Sequence, residues 1–150
     1  MFPTPVLFMP VALQALAMSV DEGVLHRRRG LTNWERCGHP LDALYVSTCY
    51  AWLLAHTPGD ERALAAYAAL AALSCILITK DEFVHARACG PFEHWLHAVL
   101  FVLHPIVLGA FGWAWWLGNA GTWLALQCVL TVGFAAYQWL YWSRRCPSPR

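Results

Sequence analysis

Charge is scarce in this chain. Asp, Glu, Lys and Arg make up 13% of its 150 residues, against 59% hydrophobic residues. Soluble domains average about 25% charged residues, and a small soluble fold must show much polar surface. A small soluble domain is therefore excluded, and lipid is the solvent the composition fits. The six cysteines include no C-x-x-C pair and no zinc-finger spacing, which excludes the common structural zinc modules. No Lys or Arg precedes the first apolar run, and Pro3, Pro5 and Pro10 interrupt it. Both features argue against a cleaved signal peptide, although "ALAMS" at 15–19 has the look of a cleavage site. Low-complexity stretches and flexible linkers are missing as well, so the chain reads as a single integral-membrane domain over 1–150. The net charge of +1 gives no reason to expect a nucleic-acid partner.

What is present is a series of apolar runs, at 5–20, 41–56, 63–79, 96–117 and 122–142. A membrane helix needs about 20 residues, so the first two runs must extend into their flanks. The expectation is an all-α polytopic membrane bundle of about five spans. Four spans plus one buried or re-entrant segment is the alternative. Lys and Arg set the orientation. Arg27, Arg28, Arg29 and Arg36 follow span one, Lys80 and Arg87 follow span three, and Arg144, Arg145 and Arg150 form the tail. The opposite loops contribute Arg62 alone. This predicts an N-terminus outside and a C-terminus in the cytoplasm, in the inner or plasma membrane if the source is bacterial. Cys37, Cys89 and Cys146 then fall on the reducing inner side, while Cys49, Cys75 and Cys128 are packing residues within spans.

Two inner loops repeat one pattern of polar residues. The first holds Asp21-Glu22, His26, Glu35 and His39; the second holds Asp81-Glu82, His85, Glu93 and His97. Each copy ends in Glu-x-x-x-His, as "ERCGH" and "EHWLH". Spans one and two thus match spans three and four, as in a parallel repeat about an axis along the membrane normal. Span five has no counterpart and closes the bundle. Residues three or four apart share a helix face. Glu93, His97 and His104 accordingly form one polar stripe about 16 Å long, which must face the bundle interior.

Carboxylate and imidazole together are the usual ligands of zinc, iron and manganese. A lone Asp-Glu pair at the end of a span is an ordinary interfacial cluster. A lone Glu-x-x-x-His is an ordinary helix-surface pair. Four such pairs on one side of the membrane, matched by a repeat, point to a dinuclear metal site. The expected ligands are Glu22, His26, Glu35, His39, Glu82, His85, Glu93 and His97. Asp21, Asp42, Asp81 and His104 are expected behind them. Asp42, three residues after His39, is placed to accept that ring's N–H. His94 lies off the stripe, His56 sits at the outer interface, and Arg27 to Arg29 serve topology or bind an anionic headgroup.

Glu82-Phe83-Val84-His85 has the Glu-x-x-His spacing of four-helix di-iron proteins, and the other pairs are one residue longer. The pattern resembles the di-iron carboxylate design in outline. It is also similar to membrane desaturases and hydroxylases in ligand type and in its position at the inner ends of spans. Their H-x-x-x-H and H-x-x-H-H boxes are lacking, with His94-x-x-His97 the one comparable pair. The resemblance implies two divalent metal ions, with iron favoured and manganese or zinc also suited. It further implies an oxidoreductase of hydroxylase, desaturase or oxidase type acting on a membrane lipid or lipid-like substrate, with a homo-oligomer an open arrangement. Haem binding between facing histidines, metal transport and a non-catalytic membrane role are the competing readings. The consistent pairing of each His with a Glu disfavours haem, and the clustering at one face disfavours transport.

Overall fold

In the computed structural model, which describes residues 4–144, helices account for nearly every position, and no strand occurs among the described residues. Arg145, Cys146 and Arg150 lie outside the described residues. Helix α1, Thr4–Val20, continues through a π-helical turn, Asp21–Leu25, into the short α2, His26–Arg29. Gly30, at φ +79°, then stops the helix, a backbone shape that glycine adopts without a Cβ penalty. Helix α3 covers Asn33–Leu54 and α4 covers Glu61–Leu77. A 3₁₀ turn, Ile78–Asp81, leads into α5, Glu82–Ala88. The chain re-enters as α6, Pro91–Trp116, and closes with α7, Gly121–Ser143.

Four helical stretches are long and apolar enough to cross a membrane: Leu7–Arg29, Glu61–Ala88, Pro91–Trp116 and Gly121–Ser143. The first run meets the length requirement by extending through the π turn, as its shortness demanded. Of the five expected spans, α3 is the exception. It is 22 residues long, but its first half carries Glu35, Arg36, His39 and Asp42 and is too polar. Its start also lies earlier than the apolar run suggested. Thr32 and Glu35 form a reciprocal capping box: the Thr32 hydroxyl accepts from the Glu35 N–H at 3.3 Å, and the Thr32 N–H donates to the Glu35 carboxylate at 2.8 Å. This T-x-x-E signature fixes the helix start at Asn33. Pro40 therefore sits inside the helix.

Helix α3 packs along α7, α1 along α6, and α4 against both α3 and α6. The apolar core lies in the half of the bundle away from the polar motifs, around Tyr50, Leu53, Tyr67, Leu108, Phe111 and Trp115. There α4 and α6 come close, because a Cβ on Gly112 would stand 2.7 Å from the Tyr67 ring. The Tyr67 hydroxyl crosses the same contact to donate to the Leu108 carbonyl at 2.7 Å. Outward faces keep large apolar residues exposed, among them Phe8, Leu16, Val102, Ile106 and Val129. So broad an apolar surface would drive a soluble protein to aggregate, whereas hydrocarbon solvates it.

Candidate metal centre

Both copies of the motif begin where a long helix leaves α geometry. After α1 the chain widens into the π turn, a form concentrated at functional sites. The wider turn keeps Asp21, Glu22 and His26 all on the interior side, each buried. After α4 the chain instead tightens into the 3₁₀ turn. Its three residues per turn spread neighbours further apart, so Asp81 and His85 turn inward and Glu82 turns out. The Glu82 side chain is 47% exposed and lies 3.6 Å from His94. This corrects the expectation that Glu82 belongs with the central carboxylates.

The four motif histidines close into a ring. Centroids are 5.1 Å apart for His26–His39, 6.1 Å for His39–His85, 4.2 Å for His85–His97 and 6.1 Å for His97–His26. Carboxylates surround them. Asp21 lies 3.1 Å from His97 and 3.2 Å from His26. Glu22 lies 3.4 Å from His26, Glu35 lies 3.3 Å from His85, and Glu93 lies 3.8 Å from His26. Asp81 approaches His39 at 3.7 Å. Asp21 and Asp81 thus stand beside the ring itself rather than behind it, as the sequence had suggested.

These distances repeat in pairs. Exchanging the two copies turns His26–His97 into His85–His39, and both are 6.1 Å. It turns Asp21–His97 into Asp81–His39, and Glu93–His26 into Glu35–His85, again close matches. The packing of α1 on α6 likewise matches that of α4 on α3. Other pairs do not correspond: His26–His39 is 5.1 Å against 4.2 Å for His85–His97, and α4 packs on α6 whereas α1 is not extensively packed on α3. The correspondence between the halves is therefore partial. Glu22 and Glu82 differ most, because α7 covers Glu22 alone of the two. Trp142 and Gln138 of α7 donate to the Glu22 carboxylate at 2.6 and 3.0 Å, which makes its burial tolerable. Glu82 is given no such cover.

Arg29 holds the lower carboxylates together. Its guanidinium donates to both oxygens of Glu35, at 2.7 and 3.1 Å, and to Glu93 at 3.0 Å. Burial alone would raise the Glu35 carboxyl. Contacts from His85, Arg29 and Thr32 outweigh it and hold the group well below the usual carboxylate range. Burial pushes the His39 imidazole down to about 4, and neighbouring His26 adds to this against the pull of Asp81. Anionic carboxylate and neutral imidazole are the states that bind metal.

Several ring nitrogens are buried without a hydrogen-bond partner: Nε2 of His26, Nδ1 of His97, and both nitrogens of His85. The His85 Nε2 has Glu35 nearby but is not aligned with it for a hydrogen bond. Buried polar groups are seldom left so. Ligand atoms in four sets lie within 4.8 Å of one another: Asp21/His26/Glu93/His97, Glu22/His26/His39, Glu35/His39/His85 and His85/Cys89/His97. These buried groups can hold a metal ion.

Two expected second-layer residues lie elsewhere. Asp42 pairs with Lys80 rather than with His39. His104 sits deeper, 2.9 Å from the Ser74 hydroxyl and 3.5 Å from the Gln14 amide. Arg29, Gln138, Trp142 and Trp34, which donates to Asp81 at 3.0 Å, did not emerge from ligand spacing. Gln138 and Trp142 did carry a signal, being polar-capable residues four apart on one face of an otherwise apolar helix. No protein-family model matches the chain, and no curated protein or solved structure is similar to it.

Proposed function

We propose that the histidine ring and its carboxylates bind two divalent metal ions, and that the protein is a small membrane oxidoreductase acting on a lipid-like substrate. The supporting observation is His85. Both its nitrogens are buried and unpartnered, inside a ring of three other histidines and at least four buried carboxylates. That arrangement is unfavourable for an ordinary polar interface, which would pair or hydrate each group. It is what a metal centre requires.

The ligand set now differs from the sequence expectation in two places. Asp21 joins His26, His39, His85, His97, Glu22, Glu35 and Glu93, and Glu82 leaves. Carboxylates able to bridge two cations, with imidazoles completing the shells, suit iron, with manganese or zinc as alternatives. When bound, such ions supply dioxygen or substrate-oxygen activation. In a hydroxylation, dioxygen would give one atom to the substrate C–H and the other to water, with two electrons and two protons from an external donor. The protein's own part is to hold Glu35 ionised beside Arg29, keep the His39 imidazole neutral by burial, and join the centre to an apolar cavity. The cytoplasmic placement of the site follows the basic-residue bias of the loops and belongs to this proposal. Protease accessibility of a tag on each terminus of the protein in sealed vesicles tests it.

Metal analysis of the detergent-purified protein tests the centre. The expected result is stoichiometric metal that is lost in His85→Ala and Glu93→Gln. Stoichiometric metal that survives both changes would contradict the reading.

A further inference from the structure

Below the histidine ring the bundle encloses a cavity of about 430 Å³, within the range of roughly 300–1,000 Å³ typical of ligand sites. The ring forms one end. The other holds Gln14, His104, Tyr50 and Gln127. His104 is seven residues beyond His97 on α6, so the two ends lie about 10 Å apart. The wall between them is apolar, with Met18, Val46, Leu100, Phe101 and Phe134.

Three described lining residues are exposed: Ala15 and Ser19 on α1, and Leu130 on α7. The cavity therefore opens between these two helices. They are tied together at the ring end by the bonds from Gln138 and Trp142 to Glu22, yet they are not extensively packed on each other elsewhere. Ala15 precedes Glu22 by seven residues and Leu130 precedes Gln138 by eight. The opening thus lies about 10–12 Å along the helices from the ring, in the apolar flank of the bundle.

Charge narrows what can enter. None of the described lining residues is Lys or Arg, while Asp21, Glu22, Asp42 and Asp81 all line it. An anionic head would have no lining cation to meet it and would face those carboxylates, directly or across about 10 Å of apolar wall, which is costly. His104 is engaged by Ser74 and Gln14 at its two ring nitrogens, while the Gln14 amide keeps its oxygen and a second N–H, an acceptor and a donor for a neutral oxygen. We infer that the cavity takes a neutral single-chain lipid bearing a hydroxyl or carbonyl oxygen, admitted sideways from the bilayer between α1 and α7. Its oxygen is held at Gln14, beside His104. The inference names the substrate class of the proposed metal centre and rests on that reading for its chemistry, but not for binding.

The test uses the purified full chain in neutral phosphatidylcholine vesicles and hexadecanol carrying a mid-chain diazirine. Photolabelling is expected on peptides containing Met18, Phe101 and Phe134. Excess hexadecanol should compete, while hexadecane and hexadecanoic acid should compete at least tenfold less well, about 1.4 kcal/mol or more. Ala15→Trp, at an exposed position, should block the opening and cut labelling about tenfold with metal content unchanged. Gln14→Leu should remove the preference for alcohol over alkane. Labelling that persists after metal is stripped with a chelator supports the cavity independently of the centre. Labels scattered over lipid-facing positions such as Phe8, Val102 and Val129, or equal competition by the acid, would overturn it. So would labelling indifferent to Ala15→Trp.

Discussion

Glu22 and Glu82 are equivalent in the sequence and opposite in the structure. Both follow an Asp at the end of a long apolar helix, and although Glu22 precedes its His by four residues and Glu82 by three, either spacing puts Glu and His on one helix face. Burial does: Glu22 is 4% exposed under two donors from α7, while the Glu82 side chain is 47% exposed. Glu22→Gln is therefore expected to lower metal content severalfold, and Glu82→Gln to leave it unchanged, by elemental analysis of the two variants side by side. The same local reasoning predicts the pH response of the metal-free protein. His39 has its ordinary value of 6.5 when unfolded and about 4 when folded. The unfolded chain binds that proton first, so stability falls as pH drops from 6.5 towards 4. Glu35, whose folded value lies below its ordinary 4.5, adds to the loss below that pH. Asp42, pushed up by burial from its ordinary 3.8 to about 6, acts in the opposite sense across the same window. With chelator present, Asp42→Asn is therefore expected to make the melting temperature fall more steeply between pH 6.5 and 4 than in the unaltered protein; an equal or shallower fall would contradict it. Arg29 is the residue sequence reading served least well. Its place in a basic run explained it as a topology signal, and its two carboxylate partners, six and 64 residues away, are visible only in three dimensions.

At the scale of elements, the long helices were legible because apolar runs reveal themselves, and the boundaries were not. α1 gains its length from the π turn, which no local pattern announces. The start of α3 was in fact written in the sequence as Thr32-x-x-Glu35, but the ligand reading of Glu35 obscured its capping role. That residue does both, and the effects separate. Thr32→Ala removes the cap and should cost about 0.5–2 kcal/mol, seen as a lower melting temperature with the metal sites still filled. Arg29→Met leaves Glu35 and Glu93 buried without their cation. It should cost ~3–5 kcal/mol, seen as loss of folded protein in detergent. Away from the site, Gly112→Ala should lower stability by about 1–3 kcal/mol without changing metal binding. The new Cβ meets the Tyr67 ring, itself fixed by its hydrogen bond to Leu108.

At the scale of the molecule, the repeated polar pattern converges on one place while the helices around it pack unequally. Two copies that share little beyond their polar residues bring four histidines and their carboxylates into one cluster, with some corresponding distances alike and others not. α7 then makes the halves unequal, covering the first copy's Asp-Glu pair and leaving a lateral opening beside α1. The sequence could show the repeat because polar residues in apolar surroundings stand out. It could not show that α7 pairs with α3, because apolar helices of similar composition offer many equivalent packings. The central claim is that the ring is a metal centre. Elemental analysis of the purified protein, beside His85→Ala and Glu82→Gln, tests it most directly. The account predicts about two iron, manganese or zinc atoms per chain, as in other carboxylate-bridged sites, lost in His85→Ala and kept in Glu82→Gln. A wild-type protein that folds and carries no stoichiometric metal would contradict it.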